Sequence, residues 1–144
     1  MVDKPLVQRK ITLLQEKKKE IENYEIRDLK DFKSKGYMQK AVEKMLQEMI
    51  EVCLDIGKHI IADENFRLPE DAKDTFAVLE EKSILSERTA GLMKKMVGFR
   101  NIIVHLYEKT DVEIVYGIRQ KHLSDFNLFS KEILDYLRRA HVST

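Results

Sequence analysis

Tyr37-Met38-Gln39-Lys40-Ala41-Val42-Glu43-Lys44-Met45-Leu46-Gln47-Glu48-Met49-Ile50-Glu51-Val52-Cys53-Leu54-Asp55-Ile56-Gly57-Lys58-His59-Ile60-Ile61-Ala62 is the stretch that decides the fold. Val42, Met45, Met49, Cys53, Ile56 and Ile60 recur at helical spacing, so one long helix should press a continuous apolar stripe into a core. Gly57 costs a helix about 1 kcal/mol relative to Ala and suits a close approach by a neighbouring helix. Upstream, Pro5 fits the first turn of a helix reaching about Tyr24, with Leu6, Leu13, Leu14 and Ile21 inward. A short helical piece over Arg27 to Lys33 should end at Ser34-Lys35-Gly36. Downstream, Asp63 to Leu68 reads as a loop, and Pro69 opens a helix through about Lys82 that uses Phe76 and Leu79. Ser83 to Ser86 forms a turn, with Ser86 as N-cap of a helix from Glu87 to near Tyr107. Thr110-Asp111-Val112-Glu113 has capping-box spacing and should start a last helix through about Arg139. That helix would bury Val115, Phe126, Phe129, Ile133, Leu134 and Leu137. With five Gly and two Pro, and little strand-like alternation, the expectation is all-α: a four-helix bundle with a short additional helix, as one domain over residues 1–144.

Composition narrows the function. An apolar content of 43% supports a core without staples, and the single cysteine, Cys53, permits no intramolecular disulfide. The Met1 to Pro5 start lacks a signal-peptide apolar core, and no apolar run approaches membrane-spanning length. A cytoplasmic protein without membrane contact is expected. Twenty-six basic residues balance twenty-five acidic ones, for a net charge of +1. That balance excludes a general nucleic-acid coat protein, which carries a strong positive field. One window departs from it: from Arg88 to Tyr107 there is no Asp or Glu, while Arg88, Lys94, Lys95 and Arg100 are present.

Inside this window lies Arg100-Asn101-Ile102-Ile103-Val104-His105-Leu106-Tyr107. A guanidinium can hold a phosphate with a planar fork of donors. An imidazole exchanges protons near neutral pH, and a phenol can donate a hydrogen bond or accept a transferred group. Together they suit work on phosphodiesters. At about 100° per residue, Phe99, Ile102, Ile103 and Leu106 would form an inward stripe. Arg100 and Tyr107 then share one flank, Asn101 and His105 the other, with Val104 between them and outward. Arg100 and His105 would converge only if the helix loosens near His105 or a second copy covers this face, as in a two-fold dimer.

Gly98-Phe99 followed by this octet closely resembles the signature of the HepT-like toxins of the HEPN superfamily, R-x-x-x-x-H-x-Y. Ala41-Val42-Glu43-Lys44 with Asp55-Ile56-Gly57-Lys58-His59-Ile60-Ile61 is similar to that family's long second helix, and Asp111, Val115 and Tyr116 to the start of its last one. The resemblance implies an antiparallel helical bundle, a homodimer with its cleft between the copies, and a toxin that cleaves RNA without metal or other cofactor. It further implies a partner, a minimal nucleotidyltransferase antitoxin that transfers AMP onto the motif tyrosine, here Tyr107. On that reading Arg100 and His105 are catalytic, while Asn101, Tyr107, Lys94 and Lys95 position RNA. The alternative is a non-catalytic nucleotide-binding or interaction module that docks a nucleotidyltransferase.

Other groups read as structural. Glu48, Asp55 and His59 lie near one another on the outer side of the long helix; a contribution to the site is one reading, and an ordinary i,i+4 surface contact from Asp55 to His59 is the favoured one. Cys53 and the methionines belong to packing. His122 and His141 are isolated, and no His, Cys or Asp spacing suits a metal. Lys17 to Lys19 form a solvated helix end.

Overall fold

The structure, a computed structural model, describes the backbone of residues 1–104 and 111–142 and the side chains of 1–102 and 111–140. Among the described residues there are seven helices and no strand: α1 (Lys4–Glu22), α2 (Leu29–Ser34), α3 (Gly36–Asp63), α4 (Ala72–Glu81), α5 (Glu87–Val104), α6 (Val112–Lys121) and α7 (Ser124–Val142). Local chemistry sets most of the starts. Asp3, Asp28 and Asp71 each accept a hydrogen bond from the backbone N–H three residues on. Ser86 does the same for Thr89, and Asp111 accepts from Glu113. Each such cap stabilises its helix by about 1 kcal/mol, because it satisfies a donor that the helix itself cannot.

The four long helices close a ring in which α1 packs on α3, α3 on α5, α5 on α7 and α7 on α1. Cross-links fix their directions. Lys10 pairs with Asp55 and Lys17 with Glu48, so α1 and α3 run antiparallel. Arg139 reaches the Ser83 carbonyl while Glu132 receives hydrogen bonds from Ser86 and Thr89, so α5 and α7 run antiparallel as well. Inside the ring, Leu14, Ile21, Leu46, Met49, Ile50, Leu54, Ile56, Ile60, Phe126 and Phe129 are fully buried. Apolar burial of this kind contributes roughly 1.5–3 kcal/mol per large side chain. Cys53 is buried among them, and burial pushes its thiol pKa up, consistent with packing.

Three short helices, α2, α4 and α6, flank the bundle; the first two answer to helical stretches that were expected, and the third was expected as part of the last helix. The expected helix from Pro69 begins instead at Ala72, because Asp71 and not Pro69 supplies the cap. The expected single last helix is two. α6 packs on α2 and α3, whereas α7 packs on α5 and α1, and one straight rod cannot lie on both. The chain bends at His122-Leu123 with Leu123 buried, and Arg119 pins the end of α6 by donating to the Ile21, Glu22 and Tyr24 carbonyls at the end of α1. On α1 the core face uses Val7, Ile11, Leu14 and Ile21, while Leu13 is 41% exposed. Leu134 is only partly buried, packed against the edge of the core.

Gly57 behaves as its position suggests. A Cβ there would lie 2.7 Å from Cγ2 of buried Thr75 and 3.4 Å from Cδ1 of Leu79, so its hydrogen lets α4 sit directly on α3. That seat matters for the site, because α4 also flanks α5.

Candidate active site

The site begins with how α5 is held. At its first turn, Glu132 of α7 accepts from the Ser86 backbone N–H at 2.6 Å, from the Ser86 hydroxyl at 3.2 Å and from the hydroxyl of buried Thr89. Further along, Met93, Met96, Val97 and Phe99 enter the core. These residues fix which way each later side chain faces.

Ile102 corrects the helical-wheel expectation. It is 42% exposed, not inward. The octet alone gives a wheel without an origin. The two preceding turns set the core direction, and Ile102 falls on the opposite face with Arg88 and Lys95, at seven-residue intervals. Asn101 is exposed. The expected placements of His105, Leu106 and Tyr107 lie outside the described residues, as do those of the Ile103 and Val104 side chains.

Arg100 turns the other way, against α3. Its Nε is 3.3 Å from Oε1 of Glu51. The same Nε is buried, yet its N–H is not aligned in a hydrogen bond. The contact is therefore a close ion pair and not a formed charge-assisted hydrogen bond. The Arg100 side chain is 21% exposed, whereas Glu51 is 49% exposed.

The two candidate supporting lysines do not converge on Arg100. Lys94 faces α4, with Nζ 3.9 Å from Oε1 of Glu80. Lys95 is exposed and has no described partner. Five residues separate Lys95 from Arg100, about 7.5 Å along the axis and on a different face of the helix. Glu51 is the residue that sequence reasoning missed. Its pairing needs α3 and α5 side by side, and no spacing within either helix announces it.

The remaining candidates sit as surface or core groups. Asp55 pairs with Lys10 and lies 3.7 Å from Nε2 of His59. His122 Nδ1 is 3.3 Å from Asp125. The His141 side chain is outside the described residues. Lys17 and Lys18 are tied to Glu48 and Glu22. A cleft of about 490 Å³ at the other end of α5 is lined by Glu80, Glu87, Glu132 and Asp135 around Arg139, a setting that repels phosphate. Among the described residues, no three His, Cys, Asp or Glu side chains gather where a metal ion could be held.

Fold and motif together define an all-α bundle whose third long helix holds, up to Val104, the first five residues of the sequence motif R-x-x-x-x-H-x-Y. The chain belongs to the Ribonuclease HepT-like family, which matches residues 14–133. It is 35% identical over 102 residues to the mRNA nuclease HepT of Shewanella oneidensis, a match covering 71% of this chain and 77% of that protein. It is 26% identical over 117 residues to the tRNA nuclease HepT of Aphanizomenon flos-aquae, covering 81% of this chain and 80% of that one. A solved structure of the tri-AMPylated HEPN toxin of Shewanella oneidensis, in complex with MNT antitoxin, superimposes with a TM-score of 0.83 at 32% identity. That likeness covers 94% of this chain and 99% of the other.

Proposed function

We propose that this protein is the toxin of a toxin–antitoxin pair, an endoribonuclease that cuts RNA without a metal. Arg100 and His105 are its catalytic groups. The observation that carries the reading is the octet itself, led by an arginine that packing turns against α3. His105 moves a proton, either from the attacking ribose 2′-hydroxyl or to the departing 5′ oxygen. The 2′ oxygen bonds to phosphorus as the P–O5′ bond breaks, and Arg100 offsets the charge that builds on the phosphoryl oxygens. Asn101 and Tyr107 orient the backbone, and Lys94 and Lys95 draw in flanking phosphates.

Inhibition follows from the same chemistry. A nucleotidyltransferase antitoxin transfers AMP from ATP to the Tyr107 oxygen, with release of pyrophosphate. The added phosphate places bulk and negative charge where RNA phosphate must bind. A second copy of the chain covers the outer face of α5, where Ile102 is exposed, and brings two octets into one cleft. The protein works as a single domain over residues 1–144 in the cytoplasm. Among the described residues no helix is long and apolar enough to cross a membrane.

The test is RNA cleavage by purified protein. His105→Ala and Arg100→Ala should abolish cleavage while the helical content and oligomeric state persist. Undiminished cleavage by His105→Ala would refute the mechanism. Incubation with the antitoxin and ATP should add mass at Tyr107 and stop cleavage, and Tyr107→Phe should escape modification. A wild-type chain that takes AMP yet never cuts RNA would favour a docking module.

A further inference from the structure

Resting on the ribonuclease reading, we infer that Glu51 is a positioning residue for Arg100: its carboxylate fixes the guanidinium by the Nε edge and leaves the terminal fork to RNA phosphate. Three acids lie along the outward side of α3, namely Glu48, Glu51 and Asp55. Glu48 is engaged by Lys17 and Asp55 by Lys10, both from α1. Glu51 alone of the three turns to α5, and among the described residues Arg100 is its partner.

The geometry argues for orientation over stability. Glu51 is half exposed, and pairs at that exposure contribute little to folding. Arg100 Nε is a different matter, since it is shut off from water and has no aligned acceptor. A buried N–H without an acceptor costs free energy, and a carboxylate oxygen at 3.3 Å is the group that offsets it. A guanidinium offers two bidentate edges, Nε with one Nη, and the two Nη together. The Glu51 carboxylate, with Oε1 3.3 Å from Nε, lies against the first. The second is then held in one direction before substrate arrives. Replacing the charge would let the guanidinium swing toward solvent, and a catalytic group displaced by a fraction of an ångström loses much of its effect.

Glu51→Gln decides it, measured as steady-state cleavage of a single-stranded RNA alongside wild type, Arg100→Lys and Arg100→Ala. The expected result is a loss of about tenfold in kcat with KM and melting temperature unchanged. Glu51→Asp, which keeps the charge, should recover part of the loss. In the Arg100→Lys background, which has no Nε to hold, Glu51→Gln should change nothing further. Wild-type kcat in Glu51→Gln would overturn the inference. So would a fall in KM with kcat retained, which would make Glu51 a competitor of RNA phosphate. An equal loss in the Arg100→Lys background would also overturn it, because Glu51 would then act through another group. If Arg100→Ala cleaves like wild type, the ribonuclease reading itself fails and this one falls with it. If Arg100→Ala is dead while Glu51→Gln is normal, only the positioning role is lost.

Discussion

Replacing Gly57 with Ala tests whether the seat of α4 on α3 is as tight as the structure makes it. In an exposed helix the change stabilises by about 1 kcal/mol, since Ala loses less backbone entropy than Gly. Here the new Cβ would sit 2.7 Å from Thr75 Cγ2, about 0.7 Å inside the 3.4 Å at which ordinary contact begins. Thr75 has no exposed surface, and its β-branched side chain has few rotamers to retreat into. Overpacking of this kind costs roughly 1–3 kcal/mol, so the net effect should run from near neutral to a loss of about 2 kcal/mol. Thr75→Ser removes the colliding methyl and keeps the hydroxyl. In that background Gly57→Ala should shift toward stabilisation by at least about 1 kcal/mol, a coupling that contacting residues show and distant ones do not. Urea unfolding of the four proteins of this cycle, with m values unchanged, gives the number. Equal effects of Gly57→Ala in both backgrounds would refute the close approach, and with it the account of how α4 fixes the setting of α5.

Glu132→Ala should destabilise by about 2 kcal/mol, because it strips the Ser86 backbone N–H and the buried Thr89 hydroxyl of their acceptor; hydrogen exchange should quicken first over the opening turn of α5. The Arg67 guanidinium beside Asp74 lowers that carboxyl to about 2, from 3.8. Its contribution is then complete above about pH 4 and vanishes as pH falls through about 2, so acid should cost wild type more stability than Asp74→Asn. Lys95→Gln should lower the slope of log affinity for single-stranded RNA against log salt by about 0.7, and Lys94→Gln by less, because Glu80 already lies 3.9 Å from Lys94. Equal slopes for the two variants would refute that distinction.

The fold was legible wherever one helix carries its own instructions. The stripe from Val42 to Ile60 goes to the core, and the cap at Ser86 starts the helix it was expected to start; a helix also opens at the expected Thr110-to-Glu113 stretch, but Asp111 caps it and it stops at Lys121 instead of reaching Arg139. Legibility failed where the answer depends on which neighbour a face meets. Nothing in Lys121-His122-Leu123-Ser124 resembles a Gly or Pro stop. The helix breaks there because its two halves serve different partners and Arg119 ties the first half to the end of α1. Ile102 failed for a related reason: eight residues of an apolar-rich helix cannot orient their own wheel, and Met93, Met96 and Val97 supply the direction. The motif was plain as a string of residue types. The partner of its first member, Glu51, sits on another helix and carries no signature.

The four cations of the acid-free window now divide by partner and not by sequence. Neighbouring helices return the acids that this window lacks: α4 offers Glu80 to Lys94, and α3 offers Glu51 to Arg100. Arg88 and Lys95 keep their charge open to water and, among the described residues, have no ion-pair partner. This division suits a nuclease with a net charge of +1. Open cations raise the local concentration of a polyanion without regard to sequence, and their effect fades with salt. A cation already paired and partly desolvated attracts little at long range, but it is aimed when phosphate arrives. Salt should therefore raise KM through Arg88 and Lys95 while leaving kcat, which the proposed mechanism assigns to Arg100, nearly constant. A kcat that falls with added salt as steeply as kcat/KM would mean that capture and chemistry draw on the same charges, contrary to the separate faces on which α5 places them.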